Sequence, residues 1–166
     1  MANLVYQNEE AALDWLSSTG DEVITLTSLG VGAGRQGALH DFGVAARAQE
    51  FVWRAWVIFA TAPVVGEVVR LYLKTSDGSH PDNDDGDTEG DNDAAVSAED
   101  KLKNLTFIGN IIVDEASATP EHVASGVISI PERYAGPVFW NATADALSAT
   151  ALDHGFSLTP VPMEVQ

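Results

Sequence analysis

Apolar and polar positions alternate over many short stretches of the chain, and this two-residue period predicts β-strands. The clearest strand covers residues 51–60, where aromatic and apolar side chains occupy one face and the other face is also largely apolar. Such a strand is typical of the centre of a sandwich, or of a sheet that lies between its core and a partner. Residues 67–74 predict a second strand, with Lys74 outward. Since Pro63 and Gly66 predict a turn between the two strands, we expect a β-hairpin.

The remaining pattern predicts further short strands separated by turn residues. They cover residues 3–7 (a strand or an arm), 23–27, 105–113, 123–130, 137–141 and 155–159. Six of the nine residues in the stretch 105–113 are apolar, which predicts a buried strand, with Phe107 in the core. Residues 9–17 instead predict a helical turn, because three apolar positions would share one face. About eight strands of this kind predict an all-β protein, a single β-sandwich or jelly-roll-like domain over residues 1–166.

A long acidic surface loop over residues 76–100 interrupts the strand pattern, and we expect no core residue before position 94. The candidate metal ligands in this loop are Asp82, Asp84, Asp85 and Asp87. Their clustered carboxylates are the hard oxygen ligands that calcium or magnesium prefers. The spacing departs from an EF-hand, because Gly90 at the sixth loop position puts Val96 where a glutamate is needed. The alternative is a solvated polyanionic loop.

Charge narrows the classes of partner. The 166 residues include 25 acidic and 8 basic ones, for a net charge of −17. Such a surface repels nucleic acid and anionic membranes, so we expect neither as a partner. The acidic surface favours a partner protein with a basic surface, or it is simply a solvated surface without a partner. Cysteine is absent, and no stretch resembles a signal peptide or a membrane span, so we expect synthesis in a cytoplasm.

Residues that commonly carry catalysis do not combine into a recognisable site, so we expect a protein that is not an enzyme and needs no cofactor. His40 and His154 each adjoin an aspartate, but neighbours on a strand point to opposite faces. The glycines of residues 30–34 are not followed by the helix that a phosphate-binding loop requires. The aromatic residues that would suit a carbohydrate platform are Trp53, Trp56, Phe139 and Trp140. Their apolar neighbours favour core positions instead. Trp56, opposite Trp53, is expected either in a second layer or at a subunit interface.

Several segments outside the acidic loop carry a resemblance to a known class of protein. They are residues 33–37 (Ala-Gly-Arg-Gln-Gly), residues 41–43 (Asp-Phe-Gly), Arg47 with residues 51–56 (Phe-Val-Trp-Arg-Ala-Trp), and residues 131–134 (Pro-Glu-Arg-Tyr). On these segments the protein resembles small structural proteins encoded among the head and tail genes of tailed bacteriophages, and the resemblance runs over most of the chain outside the acidic loop.

The resemblance implies a virion structural protein without catalytic residues. Within that class it implies a capsid decoration or cement protein, which binds the major capsid protein on the outer shell and clamps neighbouring subunits. Such a protein would be made in the host cytoplasm and carried on the capsid surface, as a homo-oligomer, either a trimer or a dimer. The residues that we then expect at the partner interface are Trp56, Arg35, Arg133 and Tyr134.

The alternative is a carbohydrate-binding or calcium-dependent binding module at a phage tail or fibre. It would also be a β-sandwich, but it would expose aromatic side chains and hold a metal in the acidic loop.

Overall fold

A computed structural model of the chain describes residues 11–44, 47–77, 90 and 92–161, and this part of the protein is nearly all β. A short 3-10 helix, Glu99–Leu102, accompanies the strands. The strands are β1 (Leu13–Leu16), β2 (Glu22–Val23), β3 (Ala33–Gln36), β4 (His40–Asp41), β5 (Glu50–Val57), β6 (Val68–Ser76), β7 (Ala94–Val96), β8 (Thr106–Ile112), β9 (His122–Ser129), β10 (Tyr134–Asn141) and β11 (Gly155–Pro160).

Two sheets pack face to face, which confirms the predicted β-sandwich. The five-stranded sheet has the order β2-β1-β11-β5-β9, and the six-stranded sheet has β7-β3-β10-β6-β8, with β4 pairing to β10. Eight of the strands form nested antiparallel pairs: β1 with β11, β3 with β10, β5 with β9, and β6 with β8. The first of the eight thus pairs with the last, the second with the next to last, and so on inward, which is the winding of a jelly roll.

Aromatic side chains fill the space between the sheets. Trp53 stacks on Phe156, with ring centroids 6.3 Å apart and planes 13° apart. The edges of Trp15 and Phe139 meet Phe156 at 5.8 and 6.4 Å between ring centroids. The side chains that residues 51–60 were expected to bury on one face are buried, namely Phe51, Trp53, Ala55, Val57 and Phe59. The two-residue period therefore identified the inner face of β5 correctly.

Two glycines let β8 and β9, which lie alongside each other, close over Trp53. A Cβ atom at Gly126 would lie 2.8 Å from the indole Nε1, and one at Gly109 would lie 3.0 Å from Cη2. Both distances are at or below the limit of real Cβ contacts, so a larger residue at either position would displace the ring or the strand. The packing at this side of the sandwich thus depends on the large side chain of Trp53 and on the absence of a side chain at Gly109 and Gly126.

A second, smaller core lies on the outer face of the six-stranded sheet. It consists of Val96, Leu102, Leu105, Val138 and Trp140, with Tyr72 packed against it. The chain from β7 to the end of the 3-10 helix covers this face, and β7 pairs with β3. The far part of the predicted acidic loop is therefore a structural cover for the sheet, because it supplies apolar side chains that the sheet buries.

The near part of the predicted loop also differs from the expectation. Ser76 is the buried last residue of β6, and Lys74, predicted to point outward to solvent, is fully buried. The Lys74 ammonium donates a hydrogen bond to the Gly90 carbonyl. The Gln36 side-chain amide donates to the carbonyls of Gly90 at 2.9 Å and Asn92 at 2.8 Å. Backbone that returns over the sheet therefore satisfies two polar side chains that would otherwise face water.

Two predictions of secondary structure were wrong. The expected helical turn is the strand β1, which pairs with β11, because a partner strand far along the chain outweighs a weak local preference. The expected hairpin of β5 and β6 does not form, since the two strands belong to different sheets. The turn between them carries the chain across the sandwich. Residues 3–7 lie outside the described part of the chain, and of residues 23–27 only Val23 is in a strand.

The prediction that residues 105–113 form a buried strand was also wrong. β8 is the last strand of its sheet, and Phe107 and Ile112 are 53% and 58% exposed. Within β8 only Ile111 is fully buried. A run of apolar residues without strict alternation does not distinguish a central strand from an edge strand whose outer apolar side chains are exposed.

The exposure of these side chains predicts unequal costs of truncation along β8. Phe107→Ala should lower the free energy of unfolding by about 1 kcal/mol, since only half of the ring leaves water on folding. Ile111→Ala should cost about 2–5 kcal/mol, because it leaves a cavity in the core. Urea unfolding of both variants measures the difference. Equal costs would contradict the position of β8 at the sheet edge.

Candidate functional site

Two apolar cross-strand pairs lie on the outer face of the five-stranded sheet. Val52 on β5 stands opposite Val127 on β9, and Trp56 stands opposite Val123. We call these four residues the β5–β9 patch. Val127 is 68% exposed, and Val52 and Val123 are more than 40% exposed. Directly opposed side chains on one face of a sheet are in contact range. The patch is therefore a pair of exposed apolar contacts at the end of a sheet.

Arg54 lies between the two pairs, and an ion pair with Glu121 offsets its charge. Its Nη2 donates to Glu121 Oε2 at 2.7 Å, and its guanidinium lies 5.3 Å from the centroid of the Trp56 ring. The indole of Trp56 also lies flat over Gly155, where a Cβ atom would come within 2.3 Å of Cζ2. Trp56 is thus half-buried on the outside of the sheet, opposite the buried Trp53, in a layer that the alternation of β5 anticipated.

The two edge strands that run next to each other, β8 and β9, contain no Asp, Glu, Lys or Arg residue. This holds for β8 (Thr106–Ile112) and for β9 (His122–Ser129), whose one titratable residue, His122, has a buried side chain. Sheet edges of soluble proteins are commonly protected by charged side chains, especially lysine. In a chain of net charge −17, two uncharged edge strands with exposed Val, Ile and Phe side chains favour a contact surface.

Arg35, predicted at a partner interface, is engaged within the molecule. Its guanidinium makes two hydrogen bonds to the Asp93 carboxylate, one of them 2.6 Å long from Nε. Thr25 donates to the same carboxylate from its backbone N–H at 3.0 Å and from its hydroxyl at 2.7 Å. Burial acts to raise the pKa of Asp93, but the hydrogen bonds from Arg35 and Thr25 outweigh it and hold the pKa below 3.8. The Arg35–Asp93 pair fastens the end of the acidic segment to β3.

Arg133 and Tyr134 lie together at the start of β10. The Arg133 guanidinium binds Asp41 through Nε at 2.7 Å and Nη2 at 2.6 Å, and it lies 4.8 Å from the centroid of the Tyr134 ring. This two-point hydrogen bond holds the pKa of Asp41 far below its usual value. The pair is well exposed, so it can be reached from solvent.

The four predicted interface residues do not converge. Trp56 belongs to the outer face of the five-stranded sheet, whereas Arg35 and Tyr134 belong to the six-stranded sheet and Arg133 adjoins it. Sequence reasoning found Trp56 but missed the other members of the β5–β9 patch. The available signal was an uncharged strand, His-Val-Ala-Ser-Gly-Val-Ile-Ser, in a strongly acidic chain.

The four aspartates predicted to bind calcium lie outside the described residues. Within residues 11–44, 47–77, 90 and 92–161, no group of three or more His, Cys, Asp or Glu side chains is close enough to hold a metal ion. The calcium site therefore stays a prediction.

An open groove of about 660 Å³ lies beside the smaller core, between the 3-10 helix and β8. Tyr72 and Phe107 form its aromatic wall, with ring centroids 5.5 Å apart and planes at 69°. Leu102 and Leu105 line it, and Glu99, Asp100 and Lys103 contribute its polar groups. Trp53, Phe139 and Trp140 are buried, as their apolar neighbours predicted, so they do not form a carbohydrate platform. This groove instead exposes aromatic carbon beside polar groups.

The three histidines in the described part of the chain lie within hydrogen-bond distance of carboxylate or carbonyl oxygens. His40 Nδ1 lies 2.9 Å from Glu22 Oε1, and His122 Nδ1 lies 2.9 Å from Asp114 Oδ1. His154 Nε2 lies 2.9 Å from the Ser148 carbonyl oxygen. A general base for a hydroxyl nucleophile would instead need a ring nitrogen beside that hydroxyl. These contacts are those of structural histidines.

Comparison with known proteins gave no family. No protein-family model matches the chain, and no curated protein is significantly similar to it. Among the described residues, no helix is long and apolar enough to cross a membrane.

The buried His154 predicts a loss of stability in mild acid. Burial lowers its pKa below the ordinary value of 6.5, so below pH 6.5 the unfolded chain takes up a proton that the native protein does not. The free energy of unfolding should therefore fall as the pH decreases below about 6.5, by up to about 1.4 kcal/mol per pH unit from this residue.

The test compares the wild type with His154→Gln, which keeps an amide donor for the Ser148 carbonyl but does not titrate. Urea unfolding across this pH window should give a shallower pH slope for the variant, whatever its absolute stability. The carboxylates Asp41 and Asp93, whose pKa values are lowered, lose their contributions only at lower pH. Identical slopes would contradict the role of His154.

Proposed function

We propose that this protein is a structural component of a tailed-phage virion, a capsid decoration protein that binds the outer shell and stabilises it. The observation that carries the proposal is an acidic jelly roll that keeps an exposed, uncharged patch suited to assembly on one sheet, and Arg133 beside Tyr134 on the other sheet. The jelly roll is an architecture that viral capsid proteins use, although a fold alone does not determine a function. The sequence resemblance to phage head and tail proteins supports the same class.

The distribution of charge suits that role. A decoration protein must stay soluble as a free chain and then occupy many equivalent positions on a shell. A net charge of −17 keeps free copies apart and attracts them to basic surfaces. Arg133 and Tyr134, on the other sheet from the β5–β9 patch, offer a guanidinium and an aromatic ring for the short-range contact with the shell. The proposed partner is the major capsid protein, on the virion surface after synthesis in the host cytoplasm, with no role for nucleic acid or a membrane.

Particle stoichiometry tests this proposal. Quantitative mass spectrometry of purified virions from the source organism should give one copy of this chain per major capsid protein, or a simple fraction of one. Tail and neck proteins of the same particles, present in few copies, provide the internal control. A handful of copies per particle would move the protein to the neck, tail or fibre. Its absence from the particles would overturn a virion role.

A second candidate function is a carbohydrate-binding module at a tail or fibre. It is favoured by the groove beside β8, whose volume falls in the range of small-ligand sites. The exposed ring of Phe107 offers an apolar surface to a sugar ring, and Glu99, Asp100 and Lys103 offer hydrogen bonds to its hydroxyls.

A glycan-binding measurement distinguishes the two functions. If the groove binds sugars, a glycan array should give reproducible hits that Phe107→Ala reduces at least about tenfold, which corresponds to about 1.4 kcal/mol. Ile112→Ala is the matched control, because Ile112 lies on the same strand with similar exposure but outside the groove. Repeating the array with calcium and with a chelator tests the predicted metal. Hits that both variants retain, or no hits, would remove this candidate.

A further inference from the structure

We infer that β9 is a dimerisation strand, through which two copies of this chain pair antiparallel about a two-fold axis at Ser125. The inference does not rest on the proposed function, because it concerns the free protein in solution. β9 is the last strand of the five-stranded sheet, and no strand within the described part of the chain pairs with its outer side. β8 of the other sheet runs alongside β9 but forms no ladder with it, so we take the outer N–H and C=O groups of β9 as the site where another strand pairs.

The side chains of β9 form a palindromic pattern around Ser125. The sequence is Val123-Ala124-Ser125-Gly126-Val127, and the odd-numbered residues face outward with Val52 and Trp56. Antiparallel pairing centred on Ser125 places Val123 of each copy opposite Val127 of the other. A centre on Ala124 or Gly126 would instead place each valine opposite a polar residue.

The same register joins the apolar pairs of the two copies into continuous rows. Within one copy, Val52 neighbours Val127 and Trp56 neighbours Val123. Across the axis, each row would run Val52, Val127, then Val123 and Trp56 of the second copy. Two such rows of four apolar side chains would flank a central row of two serines with Arg54 at each end. A ten-stranded sheet with matched cross-strand pairs results, since each copy contributes five strands.

The distribution of charge favours a second copy of this chain as the partner that pairs with β9. Two chains of charge −17 repel each other, so they can associate only where charge is absent, and β9 offers such a strand. In the central row, the two Arg54 residues would be three strand spacings apart, about 14 Å. That distance exceeds the screening length of about 8 Å in physiological salt, and each arginine is already paired with Glu121. A basic partner would gain from the acidic surface instead and would not need a palindromic strand.

Disulfide trapping tests the axis directly, because the chain has no cysteine of its own. Directly opposed residues of antiparallel strands have Cα atoms about 4.5–5.5 Å apart, a distance that a disulfide spans. Ser125→Cys should therefore give a covalent dimer in mild oxidant. Ser129→Cys, on the same strand and also exposed, is the matched control. Its two copies would lie about 26 Å apart, so it should stay monomeric on a non-reducing gel.

The oligomeric state of the cysteine-free protein completes the test. Sedimentation equilibrium should give twice the 17.6 kDa monomer mass for the wild type. Val127→Lys should shift the protein to monomer, because two lysines would enter the apolar rows. Val64→Lys, at a loop valine that is 56% exposed, should remain a dimer. A wild-type monomer at all concentrations, a trimer, or equal cross-linking of the two cysteine variants would overturn the inference.

Discussion

Trp53 lies between the two sheets at the side where β8 and β9 run next to each other, and the sandwich closes there because each strand places a glycine against the indole. Gly126 leaves room at the Nε1 side of the ring and Gly109 leaves room at its far edge. The ring then stacks on Phe156 at the centre of the core. Because interiors are close-packed, an added methyl group at either glycine would have to move the ring or a whole strand. The geometry of this side of the jelly roll follows from the packing of Trp53 against these two glycines.

The same fit shapes the outer surface. β8 and β9 end their sheets with extended backbones whose inner faces are occupied by the core, so their outward side chains are left to solvent. These strands carry Val, Ile and Phe outward and lack the lysines that natural edges commonly use. An exposed apolar edge is a hazard for a protein that stays alone and an advantage for one that assembles. In a chain this acidic, the local absence of charge argues for assembly.

Sequence reasoning succeeded where a side-chain pattern has one structural meaning. The alternation of β5 fixed its buried face and placed Trp56 opposite Trp53, and the number of strands predicted the sandwich. It failed where the answer depends on a distant partner. Leu13–Leu16 is a strand because β11 lies beside it. β5 and β6 separate because the jelly-roll winding carries the chain from one sheet to the other between these two strands. Lys74 is buried because backbone from the far side of the acidic segment returns over it, which no local pattern encodes.

The division of the predicted interface residues between the two sheets has a consequence for assembly. A surface that holds a second copy cannot at the same time hold a different partner, so a protein that does both needs two separate surfaces. Trp56 belongs to the uncharged β5–β9 patch, which suits a like-charged copy. Arg133 is partly exposed at the start of β10 in the other sheet, where its guanidinium lies over the ring of Tyr134. Repulsion between their acidic surfaces disfavours other orientations of two copies. The specificity of dimerisation therefore comes from the position of the uncharged surface as much as from the contacts made there.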